Sequence, residues 1–202
     1  MSGTRAAAAE LPNPYLDEWA EALPLARSFI SWPTTDIRSR LVTSYSWAVP
    51  NEAALAAIIE ASPRGVVEIG AGTGYWAGLL RARGARVMAY DRAPHVNSQA
   101  LAEWSEVLVG GPEMAAHHSD LSLMLCWPPY AEPMAAEALR AYRGDTLIWI
   151  GEGEGGCTGD NEAWRIIEAE WRDDREVRLP QWPHIHDSLT VYRRRGRREV
   201  RP

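Results

Sequence analysis

The chain has 202 residues, of which 46% are hydrophobic, and a formal net charge of −6 at pH 7. This length and composition fit one globular domain and exclude a chain that is disordered throughout. Two cysteines are too few for a disulfide scaffold, no apolar run is long enough to span a membrane, and the first residues lack the apolar segment of a secretory signal, so we expect a cytoplasmic protein without a membrane partner.

The charge is distributed unevenly along the chain. All 21 basic residues are arginines, and six of them lie in the last ten residues. The rest of the chain is therefore more acidic than the net charge suggests, and an acidic body repels the phosphates of nucleic acids. We expect no nucleic-acid partner, and we interpret residues 194–202 as a solvated basic tail.

The N-terminal part of the chain predicts a tail followed by helices. Residues 1–13 are small and polar and are predicted to be disordered. Residues 14–62 have helical patterns that prolines interrupt, and the clearest of these helices opens at Asn51. Because this segment precedes the first strand, we expect it to lie as a helical lid across the carboxyl edge of the sheet.

A strand, a glycine turn and a helix follow directly. Residues 66–69 are rich in β-branched side chains and run into three alternate glycines, the first at Gly70, after which a helical pattern starts. Alternate glycines let the backbone bend sharply and let a ligand come close. Residues 85–91 form a second strand that ends at Asp91, where a carboxylate can accept hydrogen bonds from both hydroxyls of a ribose. The two elements together predict a nucleoside site.

The spacing of the glycines distinguishes between nucleoside ligands. In the dinucleotide fingerprint the third glycine comes three residues after the second, whereas Gly74 follows Gly72 by two. The pattern Glu68-x-Gly70-x-Gly72-x-Gly74, with Asp91 downstream, resembles the class I S-adenosylmethionine-dependent methyltransferases. This resemblance implies a Rossmann-like α/β fold and S-adenosyl-L-methionine as the cofactor.

The remaining elements fit the same fold. Further strands are predicted at residues 106–109, 121–126, 146–150, 176–179 and 189–192. A helix that opens at Asp160 is predicted to carry Trp171 on its apolar side. The last two strands have no convincing helix between them, and a short connection permits an antiparallel pair. We therefore predict a mostly parallel seven-stranded sheet with a C-terminal antiparallel strand pair, in a single core over residues 63–193.

The strand ends provide the predicted cofactor site, because ligands of open α/β sheets bind outside the carboxyl ends of the strands. The resemblance implies that the glycine loop packs against the amino-acid and ribose portions of the cofactor, and that Arg92, Gly111 and Pro112 surround the adenine. The predicted cofactor-binding residues are Glu68, Gly70, Ala71, Gly72, Gly74, Asp91, Arg92, Gly111, Pro112 and Trp127.

The fourth strand ends in Cys126-Trp127-Pro128-Pro129-Tyr130. Amino-group methyltransferases often carry Asp or Asn before Pro-Pro-Tyr or Pro-Pro-Phe at this point, where the polar side chain accepts a hydrogen bond from the target nitrogen. Trp127 replaces that polar residue, which argues against carrying a nucleobase-amine or glutamine activity across. The predicted substrate-pocket residues, whose rings can enclose a flat or cationic substrate, are Tyr45, Trp47, Pro128 and Tyr130.

Two groups of residues are candidates for catalysis. Glu152 and Glu154 lie among glycines directly after the fifth strand. We predict Glu152 as a general base or substrate-binding acid, and Glu154 as a substrate-binding residue. His186 is the second candidate base, with His118 as an alternative. The two histidine pairs of the chain lack a third ligand at metal spacing, so we predict no metal site.

The resemblance, taken with these features, implies a methyltransferase that acts on a nitrogen, oxygen or carbon atom of a small molecule. In-line displacement at a sulfonium needs alignment and a desolvated pocket, so no catalytic triad is required. Two alternatives stay open: an intramolecular displacement on the same cofactor that releases methylthioadenosine, and a catalytically inactive nucleoside-binding or partner-binding module.

Overall fold

The structure is a computed structural model, and it describes residues 12–28, 33–97 and 100–196. The strands, in chain order, are β1 (Val66–Ile69), β2 (Val87–Asp91), β3 (Val96–Asn97), β4 (Ala100–Leu101), β5 (Leu108–Val109), β6 (Ser122–Cys126), β7 (Thr146–Gly151), β8 (Trp171–Arg178) and β9 (Ser188–Arg194). The α-helices are α1 (Pro14–Ser28), α2 (Pro33–Ser44), α3 (Glu52–Ala61), α4 (Tyr75–Ala82), α5 (Met134–Ala141) and α6 (Asn161–Glu170), and a 3₁₀ helix spans Pro112–His117.

Seven of the strands form one sheet in the order β5-β2-β1-β6-β7-β9-β8. The first five of these are parallel to one another, whereas β9 pairs antiparallel with both β7 and β8. The prediction of a mostly parallel seven-stranded sheet with a C-terminal antiparallel pair is confirmed. Strands β1, β6 and β7 are almost wholly buried, which explains why their sequences are nearly continuous apolar runs.

The strand order creates a crevice at the carboxyl ends of β1 and β6. The chain passes from β1 outward to β2 and later returns to the other side of β1 to form β6. The two crossovers therefore leave β1 in opposite directions, which is where ligands of open α/β sheets bind. Glu68 of β1 stands in register with Ala89 of β2 and Met124 of β6, so it lies in the middle of the sheet.

The N-terminal helices are tied to this core by aromatic contacts. The buried Tyr15 ring of α1 stacks on Tyr45 with 5.0 Å between centroids, and its hydroxyl accepts a hydrogen bond from Trp182 Nε1 at 3.3 Å. Helix α3 begins where the sequence predicts it, because the Asn51 side chain accepts the Ala54 N–H at 2.8 Å. The interpretation of residues 14–62 as a lid over the site stays a prediction.

The predicted tails lie mostly outside the described residues, which exclude 1–11 and 197–202. Within the described part, Asn13 is buried and its side-chain amide donates to the Pro50 carbonyl at 2.7 Å. Arg194 belongs to β9, and its guanidinium carbon lies 4.2 Å from the Trp171 ring centroid.

Two of the differences from the predicted strand extents have a clear physical reason. The third predicted strand, at 106–109, is reduced to β5, because β5 is an edge strand that pairs only with the last two residues of β2. Strand β8 begins at Trp171 instead of residue 176, so the prediction that Trp171 continues the preceding helix is wrong. The Trp171 backbone is extended and its ring packs on Tyr142. The charged residues that follow are exposed on the sheet edge, which hides the strand from a hydrophobic pattern.

Candidate functional site

A cleft of about 370 Å³ opens at the carboxyl ends of β1, β2 and β6. This volume is in the range that is typical of small-molecule sites. The predicted site residues that line it are Tyr45, Trp47, Glu68, Gly70, Ala71, Gly72, Asp91, Arg92, Gly111, Pro112 and Trp127. The glycine loop, Asp91 at the end of β2 and Trp127 after β6 therefore lie together in one cleft, as their places at strand ends predict.

The glycine loop between β1 and α4 has the backbone that its sequence predicts. Gly70, Gly72 and Gly74 all have positive φ, which favours glycine. A Cβ on Gly74 would lie 2.8 Å from the Ser105 carbonyl oxygen, so Gly74 is held by packing outside the cleft. At Gly72, by contrast, no described atom outside Gly72 and its two chain neighbours lies within 4 Å of the Cβ position. The loop is thus tightly packed at Gly74 and open at Gly72, which lines the cleft.

Asp91 ties the end of β2 to this loop. Its Oδ2 accepts the Gly72 N–H at 2.8 Å, and its Oδ1 accepts the Ala93 N–H, also at 2.8 Å. A carboxylate has about four lone-pair sites, so each oxygen can still accept a further hydrogen bond. Asp91 is half-buried, which leaves part of the carboxylate facing the cleft.

Glu68 supplies a second carboxyl group to the cleft. Its side chain is 2% exposed, and Oε2 has no hydrogen-bond partner among the described residues. Burial raises the pKa of this carboxyl to about 8, while the Arg81 charge acts to lower it and the Asp91 charge to raise it. Buried polar atoms are nearly always paired in folded proteins, so an unpaired oxygen in a cleft indicates a ligand donor.

The wall near Asp91 consists of Arg92, Gly111 and Pro112. The Gly111 N–H donates to Glu113 Oε1 at 2.8 Å, and a Cβ on Gly111 would lie 2.6 Å from the other oxygen of that carboxylate. Arg92 is exposed and forms an ion pair with Glu137 at 3.5 Å. The turn after β5 is tied to the end of β2 by the Gly110 N–H, which donates to the Asp91 carbonyl at 3.0 Å.

Another part of the wall is formed by two stacked tryptophans. The rings of Trp47 and Trp127 are 5.1 Å apart and nearly parallel, with an interplanar angle of 18°. Trp127 has a φ of 50°, a left-handed conformation that is unusual for this residue, and its N–H donates to the Ile150 carbonyl at 2.8 Å. Its Nε1 donates to Asp187 Oδ1 at 2.8 Å. Asp187 thus holds the Trp127 ring in the wall.

The residues after Trp127 do not all follow it into the cleft. Pro129 lines the cleft, whereas Pro128 is buried and is not among the lining residues. Tyr130 is exposed and borders a separate depression of about 440 Å³ beside the start of α6. The left-handed turn at Trp127 redirects the chain, so the predicted wall of Pro128 and Tyr130 lies elsewhere. Tyr45 lines the cleft, but its hydroxyl donates a hydrogen bond of 2.5 Å to Glu18 Oε1.

Glu152 does not line the cleft. Its side chain is 8% exposed, with Oε1 accepting the His186 N–H at 2.8 Å and Oε2 the Cys157 N–H at 2.9 Å. Burial acts to raise the pKa of this carboxyl, but hydrogen bonds from the Cys157 thiol and from the two N–H groups outweigh it and lower the pKa. Both oxygens therefore stabilise the loops after β7 and before β9, an arrangement that favours a structural role over that of a base.

The other predicted catalytic and substrate residues also lie away from the cleft. Glu154 and His186 are exposed and do not line it. His118 Nε2 shares a hydrogen bond of 2.9 Å with the Tyr90 hydroxyl, and burial lowers the pKa of the imidazole.

Within residues 12–28, 33–97 and 100–196, no three His, Cys, Asp or Glu side chains are grouped so that they could hold a metal ion. No helix of that part of the chain is long and apolar enough to cross a membrane.

Several residues of the site are not predicted from the sequence. Ser46, Trp76 and Glu132 line the cleft, and Asp187 lies directly behind Trp127. Trp76 follows the glycine loop by two residues, so its place could have been predicted from the helix that opens there. Asp187 carries no local signal, because sixty residues separate it from its partner Trp127.

Comparisons with known proteins return distant structural likenesses. No protein-family model and no curated protein matches the chain. A structure concerned with the conversion of a disulfide bond into a thioacetal group during echinomycin biosynthesis is 14% identical, with 72% of this chain and 82% of that chain covered and a TM-score of 0.49. The 1,6-didemethyltoxoflavin-N1-methyltransferase of Burkholderia thailandensis, solved with S-adenosylhomocysteine, is 14% identical over 96% of this chain and 93% of that chain, with a TM-score of 0.48.

A third likeness is to the N-methyltransferase NodS of Bradyrhizobium japonicum WM9, at 14% identity, 70% and 92% coverage of the two chains and a TM-score of 0.45. Each of these is a protein that the chain is similar to at a low level. The activity of this chain therefore has to follow from the side chains of its own cleft.

Proposed function

We propose that this protein transfers the methyl group of S-adenosylmethionine to a small molecule that binds in the cleft. The observation that carries the proposal is that Glu68, the open side of the Gly72 turn and Asp91 face one cavity at the switch point of the sheet. Glu68, the glycine loop and Asp91 each match a different part of a nucleoside that carries an amino acid on its 5′ carbon. The cleft volume of about 370 Å³ suits ligands of this size.

The nucleoside part of the cofactor is assigned to Asp91 and its neighbours. The free lone pairs of the Asp91 carboxylate can accept hydrogen bonds from two ribose hydroxyls while the Gly72 and Ala93 N–H groups stay bound. Arg92, Gly111 and Pro112 are the residues on that side of the cleft, and we assign them to the adenine.

The amino-acid part is assigned to Glu68 and the glycine loop. The unpaired Glu68 oxygen needs a donor, and an ammonium group or a nearby sulfonium would favour the charged carboxylate. The space beside Gly72 would be filled by any side chain, which supports a ligand that comes close to the backbone there. The unpaired carboxyl oxygen and the shape of the loop therefore fit S-adenosylmethionine.

The chemistry divides simply between cofactor and chain. When bound, S-adenosylmethionine supplies an electrophilic methyl group on a sulfonium. The chain's own contribution is to hold the acceptor in line and to exclude water, which can lower a barrier without any proton transfer. The stacked Trp47 and Trp127 rings are suited to both tasks, since they are apolar and planar, and the Asp187 hydrogen bond fixes the Trp127 ring.

Product analysis tests the proposal and its alternatives together. The protein is incubated with S-adenosylmethionine and fractions of a small-molecule extract, and nucleoside products are identified by mass spectrometry. Protein-dependent S-adenosylhomocysteine supports methyl transfer. Protein-dependent methylthioadenosine contradicts it and supports intramolecular displacement. If every fraction fails to give either product although the cofactor binds, an inactive binding module is supported instead.

A further inference from the structure

Arg38 of α2 lies against the stacked tryptophans of the cleft wall. Its guanidinium carbon is 5.5 Å from the ring centroid of Trp47 and 5.4 Å from that of Trp127. Both rings line the cleft, so the Arg38 charge is one side chain away from the space where a ligand binds. Neither the sequence patterns nor the proposed cofactor contacts give this arginine a role.

The Arg38 guanidinium is incompletely paired. Nε and Nη2 are shielded from solvent and have no hydrogen-bond partner within the described part of the chain. These two nitrogens form one edge of the guanidinium, and that edge can donate two parallel hydrogen bonds to a single carboxylate. Water does not reach these two nitrogens. Because leaving buried donors unpaired is costly, this edge needs a partner that the described part of the chain does not supply.

Asp187 does not pair with this edge of the Arg38 guanidinium. Asp187 interacts electrostatically with Arg38, but no described acid lies within 4.0 Å of the guanidinium nitrogens. Asp187 Oδ1 is bound to Trp127 Nε1, and Oδ2 is itself buried without a partner. Burial raises the pKa of Asp187 to about 7, which reduces its negative charge near neutral pH. In the same helix, Arg40 has its own acid, Glu18, at 3.6 Å.

We propose that Nε and Nη2 of Arg38 bind a carboxylate of a ligand in the cleft. This inference rests on the proposed function, which offers two sources of a carboxylate: the amino-acid end of the cofactor and an aromatic acceptor stacked on the tryptophan pair. Because the edge is covered in the ligand-free chain, pairing requires a local shift of the surrounding side chains. The matched variants are Arg38→Met, which keeps the stem and removes the donors, Arg38→Lys, which keeps the charge without the paired edge, and Arg40→Met as a control.

The first arm of the test measures nucleoside binding by calorimetry. S-adenosylhomocysteine carries the carboxylate, and 5′-methylthioadenosine lacks it. If the cofactor is the source, Arg38→Met weakens S-adenosylhomocysteine binding at least tenfold and leaves methylthioadenosine binding unchanged. Arg38→Lys restores only part of the loss, because an ammonium cannot donate the two parallel bonds. Arg40→Met binds both ligands like the wild type.

The second arm uses aromatic carboxylates as probes, namely benzoate, 2-naphthoate and indole-3-carboxylate, each beside its methyl ester. If the acceptor is the source, the wild type binds at least one acid more tightly than its ester, and Arg38→Met removes that preference. This arm is run with and without S-adenosylhomocysteine, so it remains decisive even if the wild type fails to bind the nucleoside and the proposed function is wrong.

The proposal is overturned if Arg38→Met and Arg38→Lys melt like the wild type, bind S-adenosylhomocysteine with wild-type affinity and show no change in acid-over-ester preference. It is also overturned if Arg40→Met loses as much carboxylate affinity as Arg38→Met, since the effect would then be one of general charge. Should Arg38→Met fail to fold, Arg38→Lys carries the same comparisons.

Discussion

The Asp91 carboxylate accepts the Gly72 N–H at 2.8 Å, so the acid at the end of β2 holds the glycine loop that follows β1. The same carboxylate also accepts the Ala93 N–H. One side chain therefore shapes the loop and faces the cleft, and changes at Asp91 should act on both loop stability and ligand affinity.

Replacing Asp91 by alanine tests this double role. Asp91→Ala removes the acceptor for two backbone N–H groups and, by the proposal, for the ribose. We expect S-adenosylhomocysteine affinity to fall at least tenfold in calorimetry, since hydrogen bonds to charged groups contribute about 1.5–3 kcal/mol each. The melting temperature should fall by a few degrees. Asp120→Ala, at an exposed acid that pairs with Arg86 at 3.3 Å, is the control and should change neither value. Wild-type affinity in Asp91→Ala would exclude Asp91 from the ribose site.

A matched pair of glycines separates loop strain from ligand contact. Gly72 and Gly84 have φ of 54° and 82°, and in both cases no described atom beyond the glycine and its two chain neighbours lies within 4 Å of the Cβ position. Gly84 lies in the turn between α4 and β2, at the other end of the sheet from the cleft. Each change to alanine should therefore destabilise the fold by about 1 kcal/mol, because alanine disfavours positive φ. Only Gly72→Ala should weaken nucleoside binding, by tenfold or more. Equal binding by the two variants would mean that the ligand does not approach Gly72.

Glu68 makes the stability of the folded chain depend on pH. Burial raises the Glu68 pKa from 4.5 to about 8, so between these values the folded chain holds a proton that the unfolded chain releases. The stability contributed by this group therefore falls as pH rises from about 4.5 to about 8 and is constant above that. Glu68→Gln removes this pH dependence, because glutamine does not titrate. We expect the variant's melting temperature, relative to the wild type, to rise between pH 5 and pH 8, by an amount equivalent to a few kcal/mol.

Thermal melts from pH 5 to pH 9 measure this difference. Glu103→Gln, at an exposed glutamate, is the control, and its curve should run parallel to that of the wild type. If the Glu68→Gln curve also runs parallel, Glu68 does not hold a proton in the folded chain at neutral pH.

Glu152 is expected to act on stability and not on ligand binding. Glutamine offers one acceptor oxygen where the His186 and Cys157 N–H groups need two, so Glu152→Gln should destabilise the fold by about 1–3 kcal/mol. S-adenosylhomocysteine affinity should stay within about threefold, a change of less than 1.4 kcal/mol. The exposed Glu154→Gln should be neutral in both measurements. A Glu152→Gln variant that melts like the wild type but loses turnover a hundredfold would restore the interpretation of Glu152 as a base.

The parts of the site that the sequence predicts are those with a local signal. Glu68, Gly70 and Gly72 belong to one strand and turn whose residue types impose their backbone, and Asp91 follows from the end of the next strand. Glu152 also follows a strand end, yet position alone does not determine where a side chain points. Its carboxylate is turned away by a donor thirty-four residues later in the chain, which no local pattern reveals.

Long-range partners account for the rest of what the sequence does not predict. The left-handed backbone of Trp127 redirects the residues that follow it, so the expected Pro-Pro-Tyr wall does not form. The Trp127 ring contacts Asp187 and Trp47, which belong to distant segments of the chain. Arg38 has no recognisable spacing to either tryptophan and is brought to them only by the packing of α2. Strand β8 is hidden because an edge strand can expose charged side chains.

Calorimetric titration of the wild-type protein with S-adenosylhomocysteine, beside NADH, shows which cofactor the cleft accepts. Both ligands contain adenosine, but only the first carries the amino acid that we assign to Glu68 and the glycine loop. We expect S-adenosylhomocysteine to bind one per chain and NADH not to bind. Binding of NADH in place of S-adenosylhomocysteine would contradict the assignment of this cleft to a methyl-donor cofactor.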